Sequence, residues 1–127
     1  MAGTETRKTG DPHHSKVFYR PIEAAIRWSK LIRFEIRILD TLGARPIPDP
    51  GDFPRWPMLR LNTERIFDAI RNGDLPYGKA GITCDDPSLI DDPDLTVRHV
   101  DLKTWMSRFY PDQRPAFLFD AIERRLH

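Results

Sequence analysis

Cys84 and His99 are the residues of this sequence whose types best suit covalent chemistry. A thiol beside an imidazole can act as a nucleophile with its base, and the two residues fall on neighbouring predicted strands. However, Asp85 and Asp86 follow the cysteine directly. Their negative charge disfavours a thiolate and should make the thiol a poor nucleophile. We therefore interpret Cys84 as structural, with a Cys84–His99 enzyme as a less favoured alternative.

Clustered aspartates are the second group that could do chemistry. The sequence Asp-Asp-Pro occurs at 85–87 and again at 91–93, and neighbouring carboxylates can bind calcium. The spacing does not provide the mid-loop glycine and the closing glutamate of a twelve-residue calcium loop. A solvated acidic turn is therefore the simpler interpretation. His13 and His14 are also adjacent, but they lie in a polar tail where solvation is the simpler role.

The sequence carries no motif for a bound cofactor or a structural metal. It has neither Gly-x-Gly-x-x-Gly nor a Gly-Lys-Ser/Thr phosphate loop, and its single cysteine cannot form the Cys-x-x-Cys pairs of a zinc finger. The carboxylates fall in loops or on polar helix faces, where nothing would separate the pKa values of an acid–base pair. We therefore predict a protein that is not an enzyme and needs neither metal nor cofactor.

Length and composition limit the class of protein. A chain of 127 residues with 39% hydrophobic and 31% charged residues is typical of one globular domain. No apolar run approaches the ~18–20 residues of a membrane span, and the first residues lack the apolar core of a secretory signal. A single cysteine fits a reducing compartment, so we expect a cytoplasmic location.

The net charge is +1, but residues 81–100 carry −4, so the remainder is mildly basic. Such a local basic patch is what attracts nucleic acid.

The first elements follow from apolar spacing. Residues 1–16 are polar and aperiodic, which predicts a disordered tail, and residues 17–127 predict a single domain. Pro21 suits the first turn of a helix, and Gly43 suits a helix end. The apolar face shifts near residues 29–31, which favours two helices over one continuous helix.

Five prolines lie within residues 44–61, which predicts an extended connection rather than a helix or a central strand. The residues expected to anchor this connection to the core are Phe53, Trp56, Met58 and Leu59. Trp56 has an alternative use as a stacking platform for a base or a partner. The next helix should begin at Asn62 or Thr63 and end at Gly73. Its buried side should hold Ile66, Phe67 and Ile70, and its outward side Arg65, Asp68, Arg71 and Asn72.

The second half of the chain predicts a hairpin and two further helices. Residues 81–83 and 95–100 have strand character and should pair across the acidic loop. Asp101 should cap a helix whose buried stripe is Leu102, Trp105, Met106 and Phe109. The last helix should run from about Ala116 to Leu126, with Leu118, Ala121 and Ile122 facing the core. Arg124 and Arg125 suit its negative end, with phosphate contact as an alternative. The fold class is therefore α+β, mostly helical, with about five helices and a two-stranded β-hairpin.

Two stretches resemble the winged helix-turn-helix of excisionase-like and MerR-like proteins. Residues 63–76 read TERIFDAIRNGDLP, a helix that ends in a Gly-x-Leu-Pro turn, and residues 97–105 read VRHVDLKTW, with the Asp-Leu-x-x-Trp helix of that fold. Residues 22–31 resemble the preceding helix. The whole chain is similar to small accessory proteins of bacterial integrative elements and prophages. The resemblance implies a winged-helix-like domain that acts as a DNA-associated regulatory or accessory protein of a mobile genetic element, without catalysis.

The resemblance also implies which side chains would contact double-stranded DNA. The helix at residues 63–72 would enter the major groove, where its side chains reach base edges or phosphates, and the hairpin would touch the backbone. The implied DNA-contacting residues are Arg65, Arg71, Asn72, Lys79, Arg98, Lys103 and Arg108. An ordinary solvated helix face is the alternative, because Asp68 lies within one turn of both arginines of the helix.

A protein-interaction module of the same fold, with no DNA binding, is the alternative function. Its partner surface would be formed by Trp56, Tyr77, Tyr110 and the acidic hairpin. Salt dependence separates the two functions. Contacts with phosphate release bound counterions, so the affinity for duplex DNA falls steeply as the salt concentration rises. An interaction module should show no affinity for random duplex DNA at moderate salt.

Overall fold

The computed structural model describes residues 16–125 of the chain. Within that range, five α-helices and four short strands form an α+β domain with a two-stranded antiparallel hairpin, as the sequence predicts. The helices are α1 (Pro21–Trp28), α2 (Glu35–Leu42), α3 (Pro57–Arg71), α4 (His99–Phe109) and α5 (Ala121–Arg125), and 3₁₀ helices span Ile32–Phe34 and Pro87–Asp91. The strands are β1 (Phe18–Tyr19), β2 (Tyr77–Lys79), β3 (Ile82–Cys84) and β4 (Val97–Arg98). Apart from Lys16, the predicted tail at residues 1–16, with its two histidines, lies outside the described residues.

Helix α1 begins and ends where its sequence predicts. Pro21 occupies the first turn, where its missing N–H costs nothing, and the backbone N–H of Arg20 donates to Glu23 Oε1 over 2.8 Å. Ile22 and Ile26 share the buried face with Trp28. The chain then leaves the helix through Lys30 and enters the first 3₁₀ helix before α2. The prediction of two helices in place of one is therefore confirmed.

Helix α3 begins at Pro57, so the predicted start at Asn62 or Thr63 is wrong. Pro57 is the last proline of the connection and suits the first helical position, which lets the helix start five residues before Asn62. Both predicted caps are interior and buried: the Thr63 hydroxyl donates to Leu59 O at 2.7 Å, and Asn62 Nδ2 donates to Ser29 Oγ at 3.0 Å. The second of these bonds joins α3 to the end of α1, which packs along it.

The hairpin exists, but its strands are not the predicted pair. Strand β2 pairs with β3 through a two-residue turn at Ala80 and Gly81, which both have positive φ. Strand β4 pairs instead with β1, with Phe18 opposite Arg98 and Tyr19 opposite Val97. Alternation along residues 95–100 was enough to indicate a strand, but it carries no information about which distant segment completes the ladder.

Helix α4 begins at His99, two residues before the predicted cap. Asp101 therefore lies in the first turn, where it accepts hydrogen bonds from Arg98. Leu102, Trp105 and Met106 are buried as predicted, whereas Phe109 at the end of the stripe is 43% exposed.

The last helix is shorter than its predicted range of about 116–126. It begins only after Asp120, because this carboxylate accepts from Glu123 N at 2.8 Å while Glu123 Oε1 accepts from Asp120 N at 2.9 Å. This reciprocal cap fixes the helix start. The preceding residues, Phe117, Leu118 and Phe119, are buried in a turn. Ala121 and Ile122 are exposed, so their predicted place in the core is wrong, and Leu126 lies outside the described residues.

One core joins these elements. Aromatic rings fill its centre: Trp28 meets Trp105 edge-on at 5.7 Å, and both rings contact Tyr110. From the proline-rich connection, Leu59 reaches the core and Phe53 and Trp56 pack against it, but Met58 is 45% exposed and does not act as the predicted anchor. Across residues 16–125, the helices are all too short or too polar to cross a membrane.

Candidate functional site

Four of the predicted DNA-contacting side chains already have carboxylate partners. Each cation lies within 4 Å of a nearby acid: Arg71 with Asp68 at 3.4 Å, Lys79 with Asp92 at 2.8 Å, Arg98 with Asp101 at 2.7 Å and Lys103 with Glu123 at 2.5 Å. The hydrogen bond from Lys79 holds the pKa of Asp92 below its usual value, and that carboxylate raises the pKa of Lys79. These pairs reduce the positive charge that the predicted surface presents.

Arg65 does not project outward as predicted. Its guanidinium lies 5.2 Å from the Tyr110 ring centre and 5.7 Å from that of Trp28, and it donates to Asn62 Oδ1 at 3.0 Å. A cation held against two aromatic faces contributes to packing as well as charge. Asn72, by contrast, is exposed just after the last residue of α3, and Arg108 is exposed beside Phe109.

The predicted residues do not form one face. Lys103 and Arg108 are five positions apart on α4, which places them about 140° apart around the helix. Lys79 lies on the hairpin, but Arg98 lies on β4, which pairs with β1 and not with the hairpin. The second 3₁₀ helix, within the acidic segment at 85–94, packs against α3. The acidic segment therefore lies beside the helix that the resemblance would place in the major groove.

A different group of cations lines a cavity between the end of α1 and residues 111–125, which we call the C-terminal segment. We call it the basic cavity, and its charged residues are Arg27, Lys30, Arg114 and Arg124. Ile32 and residues 115–117 supply its apolar wall, and its volume is about 530 Å³. No acidic side chain of the described residues lines it. A concave surface that combines cations with an apolar wall is suited to an anion that carries an apolar part.

The local sequence explains how α1 contributes to the basic cavity. Arg27 lies in the last turn of the helix, and its side chain is only 10% exposed. It pairs with Glu35 at 2.5 Å and donates to Glu23 O at 3.1 Å, while its buried Nε has no hydrogen-bond partner in the described part of the chain. Lys30 then turns the chain with a φ of 63°, a left-handed conformation that lysine rarely adopts.

The C-terminal segment supplies the opposite wall. Arg114 donates from Nη1 to Glu123 O at 2.7 Å and from Nε to Pro111 O at 3.4 Å, and Arg124 Nε donates to Asp120 O at 3.3 Å. These acceptors are neutral carbonyls, which orient the guanidinium groups. The hydrogen bond from Lys103 and, to a smaller extent, the charge of Arg114 lower the pKa of Glu123, so that carboxylate offsets part of the Arg114 charge. Across residues 16–125, no carboxylate lies within ion-pair distance of Lys30, Arg114 or Arg124.

A hydrogen bond ties the two walls together. Trp28 Nε1, next to Arg27 on α1, donates to Gln113 Oε1 at 2.8 Å, next to Arg114. Phe117 adds an edge-on contact with the buried Tyr19 ring at 5.4 Å. The sequence interpretation missed this site because its residues are about ninety positions apart. The one available signal was Arg124, for which phosphate contact was an alternative to its place at a helix end.

Cys84 and His99 do not lie on neighbouring strands, so that expectation is wrong. Cys84 is exposed at the end of β3 and pairs with Tyr77, while His99 begins α4 and its backbone N–H donates to Val17 O at 2.7 Å. Burial lowers the pKa of His99, with a further contribution from the positive charge of Lys103. No group of three or more potential metal ligands is present among residues 16–125.

Comparison with known proteins gives no match: no family model fits the chain, and no curated protein or solved structure is similar to it.

Proposed function

We propose that this chain is a non-catalytic, cytoplasmic protein that associates with duplex DNA, in the regulatory or accessory role in a mobile genetic element that the winged-helix resemblance implies. The observation that carries the proposal is the basic cavity, where Lys30 and Arg124 have no carboxylate within ion-pair distance among residues 16–125. Phosphates are attracted by such a local excess of cations even when the net charge of the chain is only +1.

In this proposal, the basic cavity and its rim make the main phosphate contacts, and the predicted residues of α3 and the hairpin make secondary ones. Lys79 and Arg98 would have to exchange an aspartate for a phosphate. Exposed ion pairs of this kind are weak because water screens them, so the exchange costs little free energy but also adds little affinity. Asn72 and Arg108 are exposed and form no ion pair within residues 16–125, so they keep their implied roles at a base edge and the backbone.

The test is a salt titration of binding to random-sequence duplex DNA, monitored by fluorescence anisotropy. We expect the affinity to fall steeply with salt, and the double variant K30Q/R124Q to lower the slope of log K against log[salt] by about two, because each phosphate contact contributes about 0.9. The matched control is K79Q/R98Q, which removes the same charge from predicted residues that are already paired.

The control variant should change the slope by clearly less than K30Q/R124Q does. Absence of salt-dependent binding by the unmodified chain would refute DNA association altogether. An equal or larger effect of K79Q/R98Q would instead place the contacts on the originally implied surface and remove the basic cavity from the proposal.

A protein-interaction module is the second candidate, and a different surface favours it. Phe53 and Trp56 stack at 5.9 Å, and the exposed apolar side chains Met58 and Leu61 follow on the first turns of α3. The surface implied by the sequence is less suitable, because Tyr77 is 9% exposed. Loss of a protein partner on L61D substitution, with DNA affinity unchanged, would support this candidate.

A further inference from the structure

We propose that the basic cavity binds a small phosphomonoester whose phosphate meets the arginines and Lys30 while an apolar body rests against the half-buried side chains of Ile32 and Ala116. This inference concerns a free ligand of nucleotide size or smaller, and it does not depend on DNA association.

The volume points to more than a simple anion. A cavity of about 530 Å³ falls within the range of ~300–1,000 Å³ that small-molecule sites occupy. An inorganic phosphate would fill only a small part of it. The partly exposed apolar side chains of Ile32 and Ala116 would then stay in contact with water, so a ligand with an apolar part gains additional free energy from covering them.

The charge selects a dianion. Glu35 offsets the charge of Arg27 and Glu123 offsets part of that of Arg114, which leaves Lys30 and Arg124 as the lining cations with no ion pair among residues 16–125. Guanidinium groups bind phosphate oxygens through paired N–H donors, which favours a phosphate over a point-like anion. Arg27 lines the inner side of the cavity in a fixed position, held by Glu35 and by the carbonyl oxygen of Glu23.

The cations are held before any ligand arrives. The carbonyl oxygens of Pro111, Asp120 and Glu123 orient Arg114 and Arg124, and the Trp28–Gln113 hydrogen bond fixes the distance between the walls. A ligand therefore does not have to immobilise these side chains, and that cost is removed from its binding free energy.

Lys30 provides an independent indication. A left-handed residue at a helix end is usually glycine, because a side chain is strained there. Strain of this kind is concentrated at functional sites. Here it places an ammonium group at the rim of the basic cavity.

The experiment is isothermal titration calorimetry of the full chain, without DNA, using phenyl phosphate, inorganic phosphate and phenol as probes. We expect phenyl phosphate to bind at least about ten times more tightly than inorganic phosphate, because burial of the ring adds to the charge interaction. Phenol should show no measurable binding. The variants K30G and R124Q should each weaken phenyl phosphate binding at least about fivefold.

The control variant is R71Q. Arg71 is the last residue of α3, pairs with Asp68 and does not line the basic cavity. The affinity of R71Q for phenyl phosphate should equal that of the unmodified chain. K30G relieves strain, so a loss of binding in that variant cannot be attributed to misfolding. Equal affinity for all three probes, or equal loss in R71Q and R124Q, overturns the inference. Binding of phenyl phosphate without DNA binding would refute the proposed function alone, and the reverse result would refute this inference alone.

Discussion

Lys30 combines two opposing effects in one residue. Its left-handed backbone, with a φ of 63°, costs about 1 kcal/mol relative to glycine, because its side chain crowds the following carbonyl. We expect K30G to raise the free energy of unfolding by about that amount while it weakens anion binding. Chemical denaturation measures the first effect. The matched variant K30A removes the charge but keeps a strained backbone, so it should weaken binding without the same gain in stability.

His99 gives the domain a stability that depends on pH. Its pKa is lowered by burial and then by Lys103, with Glu123 opposing, so the folded state favours the neutral ring. A base with a depressed pKa stabilises the fold above its unfolded pKa of about 6.5, and that contribution is lost as the pH falls through the lower folded value. We therefore expect the free energy of unfolding to decrease as the pH falls below about 6.5.

The variant H99Q is the control for this pH dependence, since glutamine does not titrate. The difference in free energy of unfolding between the unmodified chain and H99Q, measured by urea denaturation at several pH values, should favour the unmodified chain more at neutral than at acidic pH. A difference that does not change across this range would show that another group controls the acid sensitivity.

Individual side chains were predictable only where their partners are close in sequence. The pairing of Arg71 with Asp68 follows from helical spacing, and it was foreseen as the alternative to DNA contact. Arg65 lies over Trp28 and Tyr110, which are 37 and 45 positions away, so spacing gave no indication of its burial. The basic cavity was missed for the same reason.

At the scale of elements, the hairpin depends on Gly78. A Cβ at this position would lie 1.8 Å from the carbonyl oxygen of Ile82 on the paired strand, and the backbone of Gly78 also exchanges two hydrogen bonds with Thr96. We expect G78A to lower the free energy of unfolding by about 2–4 kcal/mol, because one strand must move away from the other. Thermal or urea denaturation measures the loss.

G51A is the matched control for that substitution. A Cβ at Gly51 would meet no atom within 4 Å and its φ is not positive, so its stability should be close to that of the unmodified chain. A small effect of G78A, comparable with that of G51A, would mean that the hairpin contributes little to the stability of the domain.

Helices were easier to predict than their limits. Apolar spacing located α1, α2, α3 and α4, because their buried residues follow the helical period. The start of α3 was missed because prolines usually exclude helices, although one of them can open a helix at its first turn. The short α5 was predictable in principle from Asp120-Ala-Ile-Glu123, a capping sequence that marks where the helix begins.

At the scale of the whole molecule, charge is unevenly distributed. Asp85, Asp91 and Asp94 form no ion pair among residues 16–125, whereas the unpaired cations of the basic cavity, Lys30 and Arg124, lie in the turn after α1 and on α5. We expect the triple variant D85N/D91N/D94N, with its net charge raised from +1 to +4, to bind duplex DNA several-fold more tightly at low salt, because long-range repulsion is reduced. Anisotropy titrations at two salt concentrations measure the change.

The gain should vanish near 1 M salt, where the screening length falls to about 3 Å. D92N is the matched control, since it removes one charge but also releases Lys79 from its partner. If the affinity for duplex DNA is the same in all of these variants, the acidic segment does not oppose DNA binding.

The pairing of β1 with β4 has a consequence for folding during synthesis. Phe18 leaves the ribosome about 80 residues before Arg98, its partner in the ladder. Because chains are synthesised at ~5–20 residues per second, β4 is made about 4–16 s after β1, and Phe18 and Tyr19 have no partner strand during that interval. During that interval the Tyr19 side chain, which is fully enclosed in the finished fold, is accessible to chaperones and proteases.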